Sequence, residues 1–397
     1  MLGNRTAVVE RANRLEPLEP LESRRLMAVA ASFAANTLFV YGDNAANDIH
    51  VTQVGSNISV QSKVGAGYVE VYKTPLAGVL ATKIYARAGN DRVEVDFGVG
   101  GDTLIQGGLG ADWLKAGGGN CTVYGNAAPG SSEAVFDDNA SDTLIAGASL
   151  QLQLHGQGGD DRFYSSLPGY SFPLYNGREV MKGGAGNDRF FLGSGRRRSE
   201  VEGEAGNDTF YVNGLEEMWL DGGAGVDKAD FSDYGTSVTV ANDGVKGSGV
   251  SAFPGSRRAR LEPDVEAVVG TPFDDVIVLG NQDNVVYAGG GDDRVETGFG
   301  DDTVYGGKGN DTLLGQGDDD KLYGQSGDDS LVGGDGRDLL VGGAGSDQFN
   351  SKDGSVLNDV LYGGNQDGTD LAGTDIAIID KVSQASRDTA VNMDGIV

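Results

Sequence analysis

From Gly270 to Asn350 the chain divides without a slip into nine units of nine residues: GTPFDDVIV, LGNQDNVVY, AGGGDDRVE, TGFGDDTVY, GGKGNDTLL, GQGDDDKLY, GQSGDDSLV, GGDGRDLLV and GGAGSDQFN. Position six is Asp275, Asn284, Asp293, Asp302, Asp311, Asp320, Asp329, Asp338 and Asp347. Position eight is Ile277, Val286, Val295, Val304, Leu313, Leu322, Leu331, Leu340 and Phe349, all apolar. A strict period of nine is not the period of a helix, which repeats every 3.6 residues. A tight turn followed by a short strand does fit. Glycine-rich positions one to six allow positive φ and close backbone approach. Positions seven to nine favour a strand with its middle residue facing inward. One unit cannot bury a single apolar side chain, so the units must stack and share a continuous column.

That column is too thin to hold the array alone. Each buried Val, Leu or Phe contributes at most roughly 1.5–3 kcal/mol. Ordering nine residues costs about 1 kcal/mol or more for each of them. The periodic aspartates supply the missing contribution if they take a cation. Calcium is hard, accepts six to eight oxygen ligands, and uses backbone carbonyls as well as carboxylates. Its binding would then be part of the folding free energy.

The pattern G-G-x-G-x-D-x-U-x, with U apolar, resembles the RTX, or hemolysin-type, calcium-binding nonapeptide repeat. The resemblance implies an all-β fold: an elongated parallel β-roll or β-helix solenoid with loop insertions and β caps. It implies several Ca2+ ions, two nonads per coil, and ions held between neighbouring turns along each edge. One edge would then carry Asp275, Asp293, Asp311, Asp329 and Asp347, and the other Asn284, Asp302, Asp320 and Asp338. The turn glycines of these sites would be Gly306, Gly307, Gly309, Gly324, Gly333, Gly334, Gly336, Gly342, Gly343 and Gly345. Asn284 lacks the carboxylate, and Phe273 and Gln282 replace the fourth-position glycine, so the first coil should be a weakened cap.

Degenerate copies precede this block. They place Asp91, Asp102, Asp112, Asp161, Asp188 and Asp208 at the metal position, with a further copy at Asp227. The inward residues would be Val93, Leu104, Leu114, Phe163, Phe190 and Phe210. In AGGGNCTVY, Cys121 stands at the aspartate position and reads as a decayed repeat. Insertions between copies should loop from one side of the coil. The expected layout is a leader over 1–31, an N-terminal β cap over 32–85, degenerate repeats over 86–228, a β-rich spacer packed on the coil over 229–269, regular nonads over 270–362, and a C-terminal cap or tail over 363–397. LEPLESRRLMA in the first segment resembles the LEPR-x-LL leader of large exported bacterial proteins, with Met27 where a second Leu is usual.

Acidic residues number 59 against 30 basic, a formal charge of −29. Nucleic-acid binders are basic, so this balance argues against nucleic acid and favours cations. A single cysteine excludes an internal disulfide framework. No run approaches 18 apolar residues, so no transmembrane helix is expected, and no oligomer is inferred. Arg196-Arg197-Arg198 and Arg257-Arg258 with Arg260 form two basic clusters, readable as contacts to an anionic glycan or lipid, or as solvated loop charge.

The chain shows no zincin helix, nucleophile elbow or EF-hand loop, and is not expected to be an enzyme. His155 reads as a surface histidine. The favoured reading is calcium binding in a secreted or cell-surface protein with a structural role. The alternatives are a β-helical enzyme acting on polysaccharide, or an adhesin gripping an extracellular ligand, either with its site on the insertions of residues 120–270.

Overall fold

The computed structural model describes residues 29–96, 98–99, 101–117, 119–125, 141–145, 149–165, 175–193, 196–214, 217–242, 259–350, 359–364, 376–378, 389–391 and 395–396. The fold is all-β and largely parallel. It divides into two compact units, Met1–Gly177 and Arg178–Val397.

The first unit begins antiparallel. Ala30–Ala34 pairs with Thr37–Tyr41 across a two-residue turn in which Ala35 and Asn36 both have positive φ, 49° and 62°. Such a turn matches the natural strand twist of a hairpin. Asp48–Val54, Asn57–Val64 and Gly67–Pro75 form an antiparallel meander. From there the chain winds, giving one strand to each of two parallel sheets per coil. One sheet holds Thr37–Tyr41, Ala81–Ala88, Asp102–Leu109, Gly119–Tyr124 and Ser149–Gly158. The other holds Asp48–Val54, Arg92–Val95, Trp113–Lys115, Thr143–Ile145 and Arg162–Tyr164.

The second unit has the same winding. From Val276–Val278 onward the strands Arg294–Phe299, Thr312–Gly317, Ser330–Asp335 and Gln348–Asn350 stack in parallel on one sheet. Val285–Gly290, Thr303–Lys308, Lys321–Ser326 and Leu339–Ala344 do so on the other. The eighth-position residues are fully buried: Ile277, Val295, Leu313, Leu331 and Phe349 on one side, Val286, Val304, Leu322 and Leu340 on the other. Outside the core, Tyr287, Tyr305 and Tyr323 stack at 4.9 Å, following the strand spacing of a parallel sheet.

Two details differ from the sequence expectation. Val93, Leu114, Phe163, Phe190 and Phe210 face inward, but Leu104 does not; Thr103 and Ile105 are buried instead. Ile105 aligns with Ile84 and Val123, and this column sets the register. The spacer is not packed on the coil but supplies layers of it. Ala259–Leu261 lies between Glu217–Ala224 and Thr239–Ala241, and Thr239–Ala241 pairs onward with Val276–Val278. The chain thus skips a layer and returns to fill it, which pairs strand edges that would otherwise stay open.

Coil spacing depends on turn glycines. Gly327 has φ +136°, and a Cβ on it would stand 1.9 Å from the Gly309 carbonyl oxygen of the coil before. Gly327→Ala is therefore expected to destabilise the fold by about 2 kcal/mol or more, measured by urea denaturation. Gly235→Ala, where a Cβ meets nothing within 4 Å, should be close to neutral. Equal effects of the two substitutions would contradict this account.

Candidate metal centre

The nonad turn buries its sixth-position aspartate and aims the two carboxylate oxygens differently. Oδ1 of Asp311 accepts the backbone N–H of Asp293 at 2.9 Å, and the N–H of Asp311 goes to Oδ1 of Asp329 at 2.8 Å. The pattern continues from Asp275 to Asp293 (2.7 Å) and from Asp329 to Asp347 (3.0 Å). On the other edge it runs from Asn284 through Asp302, Asp320 and Asp338 to Asp359, at 2.7–3.0 Å. Each aspartate thus ties together adjacent coils, usually 18 residues apart in the chain. In the first unit the same ladder joins Asn47, Asp91, Asp112, Asp142 and Asp161. In the second it joins Asp188, Asp208 and Asp227.

Oδ2 turns inward, over the first-position glycine of its own turn. A Cβ on Gly306, Gly324, Gly333 or Gly342 would lie 2.0–2.4 Å from the Oδ2 of Asp311, Asp329, Asp338 or Asp347. The carbonyl of Gly324, one coil on, reaches to 2.9 Å of that same point on Gly306. At the second and fourth positions, a Cβ on Gly307, Gly309, Gly334, Gly336, Gly343 or Gly345 would come within 2.0–2.3 Å of a carbonyl oxygen one coil back. The turns therefore bring carboxylate and carbonyl oxygens together and leave no room for side chains between them.

The Oδ2 atoms of Asp91, Asp227, Asp293, Asp302, Asp311, Asp320 and Asp329 are buried and accept no hydrogen bond. A buried carboxylate oxygen without a donor is costly. Burial pushes these carboxyls up: Asp302 and Asp311 to about 6, Asp91 and Asp227 to about 7, Asp293 and Asp329 to about 8, and Asp320 to about 9. For Asp320, the charges of Asp302 and Asp338 add to the burial. A hard cation fits this donor set of carboxylates and carbonyls, and relieves both the burial and the mutual repulsion.

Some sequence candidates are arranged differently. Asp102 is exposed, accepts the side-chain amide of Asn120 at 3.0 Å, and is not brought into the ladder. Asp275 is in the ladder, but its carboxylate is already occupied. Oδ1 accepts from the N–H of Val238 and the hydroxyl of Thr271, and Oδ2 from the N–H of Thr271 at 2.6 Å. Cys121 is a buried strand residue level with Thr103 and Leu152. His155 stacks on Tyr124 at 4.8 Å. Arg260 lies over the Trp219 ring and pairs with Glu262 at 3.1 Å. The side chains of Arg196–Arg198, and all of Arg257 and Arg258, lie outside the described residues.

Sequence reasoning missed Asp142 and Asp359, although SDTLI and NDVLY carry the D-x-U half of the motif. It also missed a second ladder at position five. There Oδ1 of Asp274, Asp292, Asn310 and Asp328 accepts the N–H of the same position one coil later, at 2.8–2.9 Å. Asp283, Asp301 and Asp319 do the same on the other edge, at 2.9–3.0 Å. This exposed ladder runs opposite to the buried one. His50, Glu94 and Asp96 form a further cluster, in which His50 pairs with Asp96 at 3.0 Å and Lys115 with Glu94 at 2.7 Å.

The family model described as RTX calcium-binding nonapeptide repeat (4 copies) matches residues 97–128, 175–196, 269–304, 296–331 and 323–356. These segments are similar to the RTX calcium-binding repeat. The RTX repeat is a structural calcium-binding element and not a catalytic one. No curated protein matches the chain significantly in sequence. Among the described residues, no helix is long and apolar enough to cross a membrane.

The raised carboxyls make a pH prediction for the calcium-free protein. A carboxyl whose folded pKa lies above its unfolded value of about 3.9 favours folding most below that value, and this stability is lost as pH rises through the folded pKa. Here that loss begins near the unfolded value and is complete at about 6 for Asp311 and about 9 for Asp320. In calcium-stripped buffer the β structure seen by far-UV circular dichroism should fall from pH 5 to pH 9. A signal that rises with pH would contradict the burial argument.

Proposed function

We propose that the chain is an exported RTX protein that binds several calcium ions along its aspartate ladders, folds on binding them, and has a structural or cell-surface role. One observation carries this reading: the buried Oδ2 atoms of Asp311, Asp320 and Asp329 accept no hydrogen bond and stand beside turn carbonyls. The residues that would hold the ions are Asp293, Asp302, Asp311, Asp320, Asp329, Asp338 and Asp347. Asp91, Asp112, Asp161, Asp188 and Asp208 would act in the degenerate repeats, and the glycine turns would supply carbonyls. Calcium supplies positive charge and a flexible oxygen shell. The chain supplies position: Oδ1 is held by the coil before, so Oδ2 has one direction to point.

The formal charge of −29 agrees with this reading, because a body so acidic repels itself unless cations neutralise it. Extracellular calcium modules work at affinities of about 10⁻⁴–10⁻³ M, which suits folding after export. The leader-like LEPLESRRLMA lies outside the described residues, as do large parts of the insertions on which an enzymatic or adhesive site would draw.

Far-UV circular dichroism should show β structure growing with added calcium and lost on chelation. A chain fully structured without calcium and indifferent to it would refute the proposal. Asp311→Asn and Asp329→Asn should each raise the calcium midpoint by roughly tenfold, in line with the dependence of calcium affinity on ligand charge. Asp102→Asn should leave it unchanged.

A further inference from the structure

The outer face of the first unit carries a donor set of a different kind. In the paired strands Asp48–Val54 and Arg92–Val95, Ile49, Val51, Val93 and Val95 point into the core. His50 and Glu94 therefore stand opposite one another on the outside, each half-buried. Asp96 follows the second strand and is held level with it, because its N–H goes to the Val51 carbonyl at 2.9 Å. One ligand atom from each of His50, Glu94 and Asp96 lies within 4.8 Å of the other two. Nε2 of His50 is 3.0 Å from Oδ1 of Asp96. The sixth-position aspartate of this coil, Asp91, takes no part: its Oδ1 accepts the N–H of Asn47 at 2.6 Å. All three residues also precede the first matched repeat segment, which begins at residue 97.

We propose that His50, Glu94 and Asp96 form a site for one divalent cation of the zinc class. Calcium takes oxygen ligands, whereas an imidazole nitrogen beside carboxylates suits zinc and its transition-metal neighbours. Three protein ligands with a solvent-filled fourth position are a recurrent zinc arrangement. Zinc bonds of about 2.0–2.1 Å place tetrahedral ligand atoms about 3.3 Å apart, close to the spacing already present. Existing partners orient the ligands without exhausting them. The Thr52 hydroxyl donates to Oδ2 of Asp96 and leaves Oδ1 facing His50. Glu94 accepts from Lys115 at 2.7 Å and from Arg92 at 3.2 Å, and a carboxylate has about four lone-pair directions. The Tyr68 ring packs against the imidazole at 5.6 Å. Outer contacts of this kind fix ligand rotamers at metal sites. Lys115 opposes the ion, because its ammonium holds a carboxylate that the ion would share. A bound ion would fasten the antiparallel meander, through Asp48–Val54, to the first strand that pairs with it in parallel.

Equilibrium dialysis of the full chain against zinc tests the site, with excess calcium present throughout to hold the oxygen-only positions. The parent should retain about one zinc per chain. His50→Gln and Asp96→Asn should each weaken that binding by roughly tenfold or more, and Lys115→Gln should strengthen it. His155→Gln, which changes the chain's other histidine, should leave it unchanged. A second readout uses the parent ligands. With Trp219→Phe, the remaining tryptophan is Trp113, two residues before Lys115 on the strand beside Glu94. Cu2+, which binds such donors more tightly than zinc, should quench its emission, and His50→Gln should abolish the quenching. A parent that retains no zinc, equal affinity in His50→Gln and the parent, or loss in His155→Gln instead, would each overturn the site. Zinc retention is read whether or not calcium changes the fold, so this result and the calcium reading stand or fall separately.

Discussion

Everything in the repeat region depends on a carboxylate divided between two duties. Oδ1 of each ladder aspartate accepts a backbone N–H from the coil before and fixes the stacking register. In Asp311, Asp320 and Asp329 that oxygen is committed, and its twin is carried into the turn, where it meets a glycine Cα and carbonyl oxygens and accepts no hydrogen bond. Hydrogen bonding favours the ionised form and burial disfavours it, and in these turns burial prevails. The contact that orders the coils therefore also creates the charge that would drive them apart. A cation placed there would answer both at one point, and on the proposed reading its binding and the folding of the array are one equilibrium.

Glycine makes this arrangement possible. The carbonyls that would share the ion sit where a Cβ would otherwise be, and positive φ at the second and fourth positions turns them there. The exposed ladder at position five is the counterpart. Its acceptors belong to the earlier coil and its donors to the later one, while the buried ladder runs the other way. Adjacent turns are laced in both directions by neighbouring residues, and the outer lace needs no ion.

The regular block was legible because its period is strict: nine apolar residues at position eight and eight aspartates at position six leave one register open. Where the period decays, local motifs mislead. FGVGGDTLI looks like a nonad, but Ile84 and Val123 on the flanking strands pull Ile105 into the core and leave Asp102 outside. Asp275 fits the motif but is satisfied by Thr271, a second-position substitution whose hydroxyl has a consequence only in three dimensions. Glu266 stands outside any nonad. It accepts the N–H of Asp227, a neighbour 39 residues away in the chain, and no nine-residue window contains that relation.

The layer order at the spacer bears on how such a chain can assemble. Thr239–Ala241 comes before Ala259–Leu261 in the chain but after it in the stack. A solenoid emerging from its N-terminus can normally add one rung at a time, each on the last. Here the rung at Thr239 has no surface on the upstream side until Ala259–Leu261 lies on Glu217–Ala224. In the finished stack the spacer is a splice: Ala259–Leu261 sits between two strands that both precede it in the chain.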